Sequence, residues 1–138
     1  MENKTSDERN QMLRCAGALP YLAKLIHQRN IDAGWWKKDA EGNVIERNMG
    51  ELLCLVHSEI SEAMEGDRKG LQDDKLPQYP MLIVELVDAL IREFDILGRV
   101  CQKEGVDLGE IFMAKLDFNA QRADHKPENR AKEGGKKY

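Results

Sequence analysis

The sequence predicts an all-α protein, most simply a four-helix-type bundle. Three observations carry this expectation. Apolar residues recur at three- and four-residue spacing in four segments, and no stretch alternates as a strand would. Helix-start and helix-stop residues punctuate those segments. Charged residues make up 33% of the 138 and aromatics only 6%, a balance that suits a helical, water-facing chain.

Pro20 divides the first segment. A short N-terminal piece starts at the capping box "TSDE" (Thr5, Glu8), and a stronger helix runs from about Pro20 to Asp32, with proline in a tolerated first-turn position. "KKDAEGNVIERN" reads as a loop turning at Glu41-Gly42-Asn43. A second helix begins near Asn48, with Glu51 as capping-box partner, and ends around Gly66–Gly70. Its apolar stripe is Leu52, Leu53, Val56, Ile60, Ala63 and Met64. The loop "LQDDKLPQYP" leads to a third helix from about Pro80 to Glu104, stopped by Gly105. The fourth opens at "DLGE" (Asp107, Glu110) and carries Ile111, Phe112, Lys115, Leu116 and Asn119. The whole is read as one domain, 1–138, with about 1–19 as an N-terminal extension and about 121–138 as a basic tail.

The third helix is the most apolar. Leu82, Ile83, Val84, Leu86, Val87, Leu90, Ile91, Phe94, Leu97 and Val100 cover a wide arc, and Glu85, Asp88, Arg92, Asp95 and Arg99 share one narrow stripe at spacing 3-4-3-4. A helix wrapped so widely in apolar residues calls for a second subunit, so a homodimer or homotetramer is expected.

The formal charge of −4 is unevenly spread: Gln121–Tyr138 has six Lys or Arg against Asp124, Glu128 and Glu133, leaving residues 1–120 at −7. An acidic body does not suit duplex nucleic acid, but it can hold cations, and the tail can meet an anion. The start lacks a signal peptide's apolar stretch, and no apolar run is long enough to span a membrane. Cys15, Cys54 and Cys101 are odd in number and lack CxxC spacing, which argues against a disulfide framework or zinc site and for a reducing cytoplasm.

Two acid pairs stand out. Glu59 and Glu62 sit one turn apart with Leu55, Ala63, Ser58 and Gly66 as their i±4 neighbours, so no cation along the helix relieves them. Glu85 and Asp88 repeat the pattern on the next helix. If the two helices pack antiparallel, four carboxylates converge. Each like-charge pair at about 5–6 Å then costs roughly 3 kcal/mol at an effective dielectric near 20. A hard divalent cation such as Mg²⁺, which takes oxygen ligands and shares its shell with phosphates, removes that cost. His27, His57 and His125 lack metal-ligand spacing, and "EGGKKY" is no phosphate-cradling P-loop. The only two tryptophans, Trp35 and Trp36 in "AGWW", are either core anchors or a platform for a base.

"LVHSEISEAMEGDRKG", "VELVDALIREFDI" and "KLDFNAQRADHKPENRAKEGGKKY" resemble the MazG-like nucleotide pyrophosphohydrolases of the all-α NTP pyrophosphatase superfamily, over about residues 20–138. The resemblance implies Glu59, Glu62, Glu85 and Asp88 as Mg²⁺ ligands, with Mn²⁺ as a substitute and Glu59 or Glu62 as proton acceptor. It implies cleavage of a nucleoside triphosphate to monophosphate and pyrophosphate. Lys115 and Asn119 match phosphate- and sugar-contacting positions. Arg122 and the segment Lys126–Arg130 add positive charge for the leaving group, and Trp35 or Trp36 would meet the base. Arg92, one turn after Asp88, departs from the pattern, and either pairs with Asp88 or reaches phosphate. The other reading is a non-catalytic, helical homo-oligomeric interaction protein with a solvated acid face and a partner-binding tail.

Overall fold

In the computed structural model, which describes residues 2–122, the chain is all-α: α1 (Glu2–Asp32), α2 (Met49–Lys69), α3 (Met81–Glu104) and α4 (Leu108–Gln121). No strand occurs among the described residues; the two loops contain only isolated bridges, Lys38 to Val44 and Gln72 to Pro80. Among the described residues no helix is long and apolar enough to cross a membrane. The basic tail from residue 123 onward, with His125 and Lys126–Arg130, lies outside the described residues.

The break expected at Pro20 does not occur. α1 is one helix of 31 residues with Pro20 inside it. A proline in a helix interior removes the hydrogen bond to the carbonyl four residues earlier, here Ala16. Gly109 approaches that same oxygen: a Cβ on Gly109 would lie 2.6 Å from Ala16 O, so its α-hydrogen takes the place of the missing amide. The freed carbonyl is thereby covered at a buried position.

The other helix ends follow their sequence signals. Asn48 accepts from the Glu51 amide at 3.1 Å to start α2, although the Glu51 carboxylate turns to Arg47 rather than back to the cap. Gly70, left-handed at φ 61°, closes α2 while the Leu71 amide reaches Gly66 O. Asp107 accepts from the Glu110 amide at 2.9 Å to start α4. In the first loop Asp39 caps the turn at Gly42 by accepting from the amides of Glu41 and Asn43.

Two compact units make up the fold. In one, residues up to Tyr21 and from Gly105 onward, the early part of α1 meets α4 through Ala16 and Gly109 and through a two-bonded Arg9–Asp117 pair. In the other, Leu22–Glu104, α2 and α3 run antiparallel. The end of α2 touches the start of α3 at Gly66, where a Cβ would press to 2.9 Å from Met81. The later part of α1 lies against α3 at Gly98, where a Cβ would sit 2.5 Å from Ala23 O. Glycine is needed at both contacts because the space of a side chain is filled, at Gly66 by the Met81 side chain and the Leu82 amide and at Gly98 by the Ala23 backbone and His27 Cβ.

The α2 stripe divides in a way the sequence did not anticipate. Leu52 and Ala63 turn inward with Glu59 and Gly66, while Leu53, Ile60 and Met64 face outward. On α3 Glu85 and Asp95 of the polar stripe are buried and Arg92 and Arg99 half-buried, Asp88 stays exposed, and Ile83, Leu86, Val87, Leu90 and Ile91 are exposed. The physical reason is that Arg92, Asp95 and Arg99 find their partners on α2, on α1 and in the first loop. Cys54 lies in an apolar stretch of α2 yet is exposed, and none of the three cysteines forms a disulfide.

Candidate acidic site and its adjoining cleft

The antiparallel pairing of α2 and α3 brings Glu59 of one to Glu85 and Asp88 of the other. One carboxylate oxygen from each lies within 4.8 Å of the others. Glu59 and Glu85 are buried and Asp88 is exposed, so the cluster has a dry floor and a wet rim. Glu62, the fourth acid, is exposed and outside this close group, though its charge is felt by Glu85.

Glu85 is pushed up to about 7, first by burial, then by the charge of Glu62 and by Glu59, to which protonated Glu85 donates, with Asp88 adding to the effect. Glu85 therefore titrates near neutral pH, because two buried carboxylates cannot both ionise cheaply. The acids are not wholly bare, however. Arg92 reaches across from α3 to Glu59, Nε to Oε1 at 2.6 Å, and not to Asp88 on its own helix. The absence of a cation along α2 is partly made good by one from the opposite helix.

Beside the acids opens a cleft of about 260 Å³. Glu59, Asp88 and Arg92 form one part of its lining, Trp35, Leu52, Leu55, Ile91 and Ile96 an apolar part, and Asn30, Arg47 and Asp95 the rest. An apolar wall with a few polar groups is the general form of a small-molecule site.

The two tryptophans separate. Trp35 is 68% exposed and lines the cleft. Trp36 is 2% exposed, and its indole N–H donates to both oxygens of Asp95 at 3.0 Å. The expectation that either could meet a base is therefore corrected for Trp36, whose faces are taken: His27 packs edge-on at 5.0 Å and the Arg47 guanidinium sits 5.6 Å from its ring centre.

Asp95 also accepts from His27 Nδ1 at 2.7 Å, so that nitrogen carries the proton. Burial alone would raise Asp95, but hydrogen bonds from His27, Trp36 and Asn30 hold its carboxyl below the usual range. Further along the stripe Arg99 pairs with Glu46, whose carboxyl is lowered by that hydrogen bond.

The sequence singled out neither Asp95, Asn30 nor Arg47 for a site. Asp95 could have been found from its place in the 3-4-3-4 stripe; Asn30 and Arg47 reach the cleft only through tertiary packing. Lys115 and Asn119 lie one turn apart on α4, with Lys115 Nζ 5.0 Å from the Phe118 ring centre, and Arg122 is the C-terminal cap residue of that helix. These three belong to the unit built from Gly105 onward, the acids and cleft to Leu22–Glu104.

Compared with known protein families, curated proteins and solved structures, the chain matches none.

Proposed function

We propose that the chain is a Mg²⁺-dependent nucleoside triphosphate pyrophosphohydrolase, converting a nucleoside or deoxynucleoside triphosphate and water to the monophosphate and pyrophosphate. The observation that carries the reading is the convergence of Glu59, Glu85 and Asp88 oxygens within 4.8 Å at the edge of the cleft. The resemblance to the MazG-like enzymes points the same way.

The donor set suits the metal: three carboxylates, with no nitrogen or sulfur in the group. Glu59, Glu85 and Asp88 would hold Mg²⁺, with Glu62 at the rim. When bound, the ion supplies charge neutralisation on phosphate oxygens and a more acidic water. Glu59 and Glu62 are the groups to accept the proton of the attacking water. Trp35 offers an exposed face to a base, and Leu52, Leu55 and Ile91 complete an apolar wall. The resemblance assigns phosphate- and sugar-contacting roles to Lys115 and Asn119, and Arg122 is a further positive charge for the leaving pyrophosphate.

The reading extends to a cytoplasmic enzyme that clears non-standard or surplus nucleotides and works as a homodimer or homotetramer. The many outward apolar residues of α2 and α3 support self-association, which would take them out of water. The same surface favours the second reading, a non-catalytic homo-oligomeric interaction protein. Incubation with a nucleotide panel and Mg²⁺, with chromatographic resolution of products, separates the two. Monophosphate plus pyrophosphate is the expected result. Diphosphate plus orthophosphate would indicate a different phosphohydrolase, and no turnover across the panel would leave the interaction protein.

A further inference from the structure

Arg92 is the residue at which the chain departs most clearly from a plain acid site. It stands one turn after Asp88 on the same stripe, where pairing along the helix would be the simplest outcome. Instead its Nε donates to Glu59 on α2 at 2.6 Å. Glu59 is buried, while the Arg92 side chain is 40% exposed and lines the cleft beside Asp88. One end of the ion pair is thus fixed in the acid floor and the other is open to whatever enters the cleft. Among the described residues, Arg92 is the cation ion-paired with the Glu59, Glu85 and Asp88 group.

We propose that Arg92 is an internal counter-ion that holds Glu59 until a phosphate draws the guanidinium away, so that metal and triphosphate load together. This rests on the pyrophosphohydrolase reading and adds a coupling to it. Arg92 and a divalent cation compete for the same buried carboxylate, so each weakens the other's hold on Glu59. A phosphate group offers the guanidinium an equivalent partner, because its planar fork of N–H donors fits phosphate as well as carboxylate. Binding of the anion in the cleft then releases Glu59 to the cation. By linkage, the cation strengthens the anion's binding by the same factor. The free protein would therefore take up metal weakly and the metal–triphosphate complex strongly.

The test measures metal and anion separately on the full chain. Thermal melting across a MgCl₂ titration, without nucleotide, gives the metal response of the parent, Arg92→Met and Arg92→Gln. Calorimetry with inorganic tripolyphosphate, in Mg²⁺ saturating for each protein, gives the anion affinity without reference to any base. The substitutions should act in opposite directions: tighter Mg²⁺ by about tenfold and weaker tripolyphosphate by about tenfold. A packing role alone would weaken both or change neither. Arg92→Gln keeps a polar side chain and serves if the methionine variant folds poorly. An unchanged or weaker Mg²⁺ response in the variants, with a normal response in the parent, overturns the role of Arg92 and leaves the metal site standing. A parent with no Mg²⁺ response overturns both.

Discussion

Glu85 and Asp95 are both buried acids on the inward stripe of α3, ten residues apart, yet their carboxyls are shifted in opposite directions. Asp95 is surrounded by donors: His27, Trp36 and Asn30 more than offset the cost of its burial. Glu85 is surrounded by acceptors, and is raised to about 7. The same residue chemistry on one helix face is finished in one place and unfinished in the other. A carboxylate completed by neutral and basic partners ties α1, the first loop and α3 together. One left among like charges costs stability unless a cation arrives, and that is a reason to look for function there.

The largest expected effect lies at the unfinished end. Glu85→Gln or Asp88→Asn removes a ligand charge while keeping shape, and should reduce turnover by about 10³-fold, the equivalent of several kcal/mol of transition-state stabilisation. The metal-free variants should melt at or above the parent temperature, since a repulsive partner has gone. Loss of turnover together with a clear fall in melting temperature would make Glu85 a structural acid like Asp95 and erase the contrast. Activity assays and calorimetric melts on the same preparations decide it.

The finished end should respond in the reverse way. Asp95→Ala strands His27 Nδ1 and the Trp36 indole N–H in a dry interior. Breaking such a network by removing one partner costs about 3–5 kcal/mol, visible as a marked drop in the denaturation midpoint. Any activity loss should follow the unfolded fraction, so a variant that stays folded at low temperature should retain its turnover. An Asp95→Ala protein as stable as the parent would mean that the three donors find other partners.

The difference between these two acids was only half legible in the sequence. Spacing alone places Glu85, Asp88, Arg92, Asp95 and Arg99 on one stripe, and composition alone gives the all-α class. Caps at Asn48 and Asp107 and stops at Gly70 and Gly105 were also readable, because they are local. Which way the stripe faces was not. The apolar arc is so much wider that it reads as the buried side, and only tertiary pairing with His27, Trp36, Glu46 and Glu59 turns the polar side inward. Pro20 misled for a similar reason: the defect it makes in α1 is covered by Gly109, far away in sequence. Charge pairing between helices, as with Arg92 and Glu59, is invisible to rules about i±4 neighbours.

The pH response gives a smaller test of the same contrast. The folded-state pKa of Glu85, about 7, exceeds its ordinary value of 4.5, so the folded protein holds a proton that the unfolded chain releases. That contribution is fully present below about 4.5 and is lost as pH rises through about 7. The melting temperature of metal-free protein should therefore fall relative to Glu85→Gln by on the order of a few degrees between pH 5 and pH 8. Asp95 has the opposite sign, its stabilisation declining only as acid protonates it below the usual carboxylate range. Mg²⁺ stabilisation should grow over the interval in which metal-free stability falls, because the ligand is the ionised form. Parallel pH profiles for parent and Glu85→Gln would assign the titration to another group.

The smallest effect separates the two tryptophans, which divide between the two ends as the acids do. Trp36 belongs to Asp95 through its indole N–H, whereas Trp35 faces the cleft that Glu59 and Asp88 help to line. Truncating an exposed ring removes little that folding depends on, so Trp35→Ala should change stability by no more than about 0.5 kcal/mol. If a base lies against that ring, the substitution removes a stacking contact worth about 1 kcal/mol. KM for the nucleotide should then rise roughly fivefold, with kcat little changed because the ring binds ground and transition states alike. Tripolyphosphate, which has no base, should bind Trp35→Ala and parent equally. A weakened tripolyphosphate interaction would show that Trp35 shapes the phosphate end of the cleft, and a KM at the parental value would leave the base without this platform.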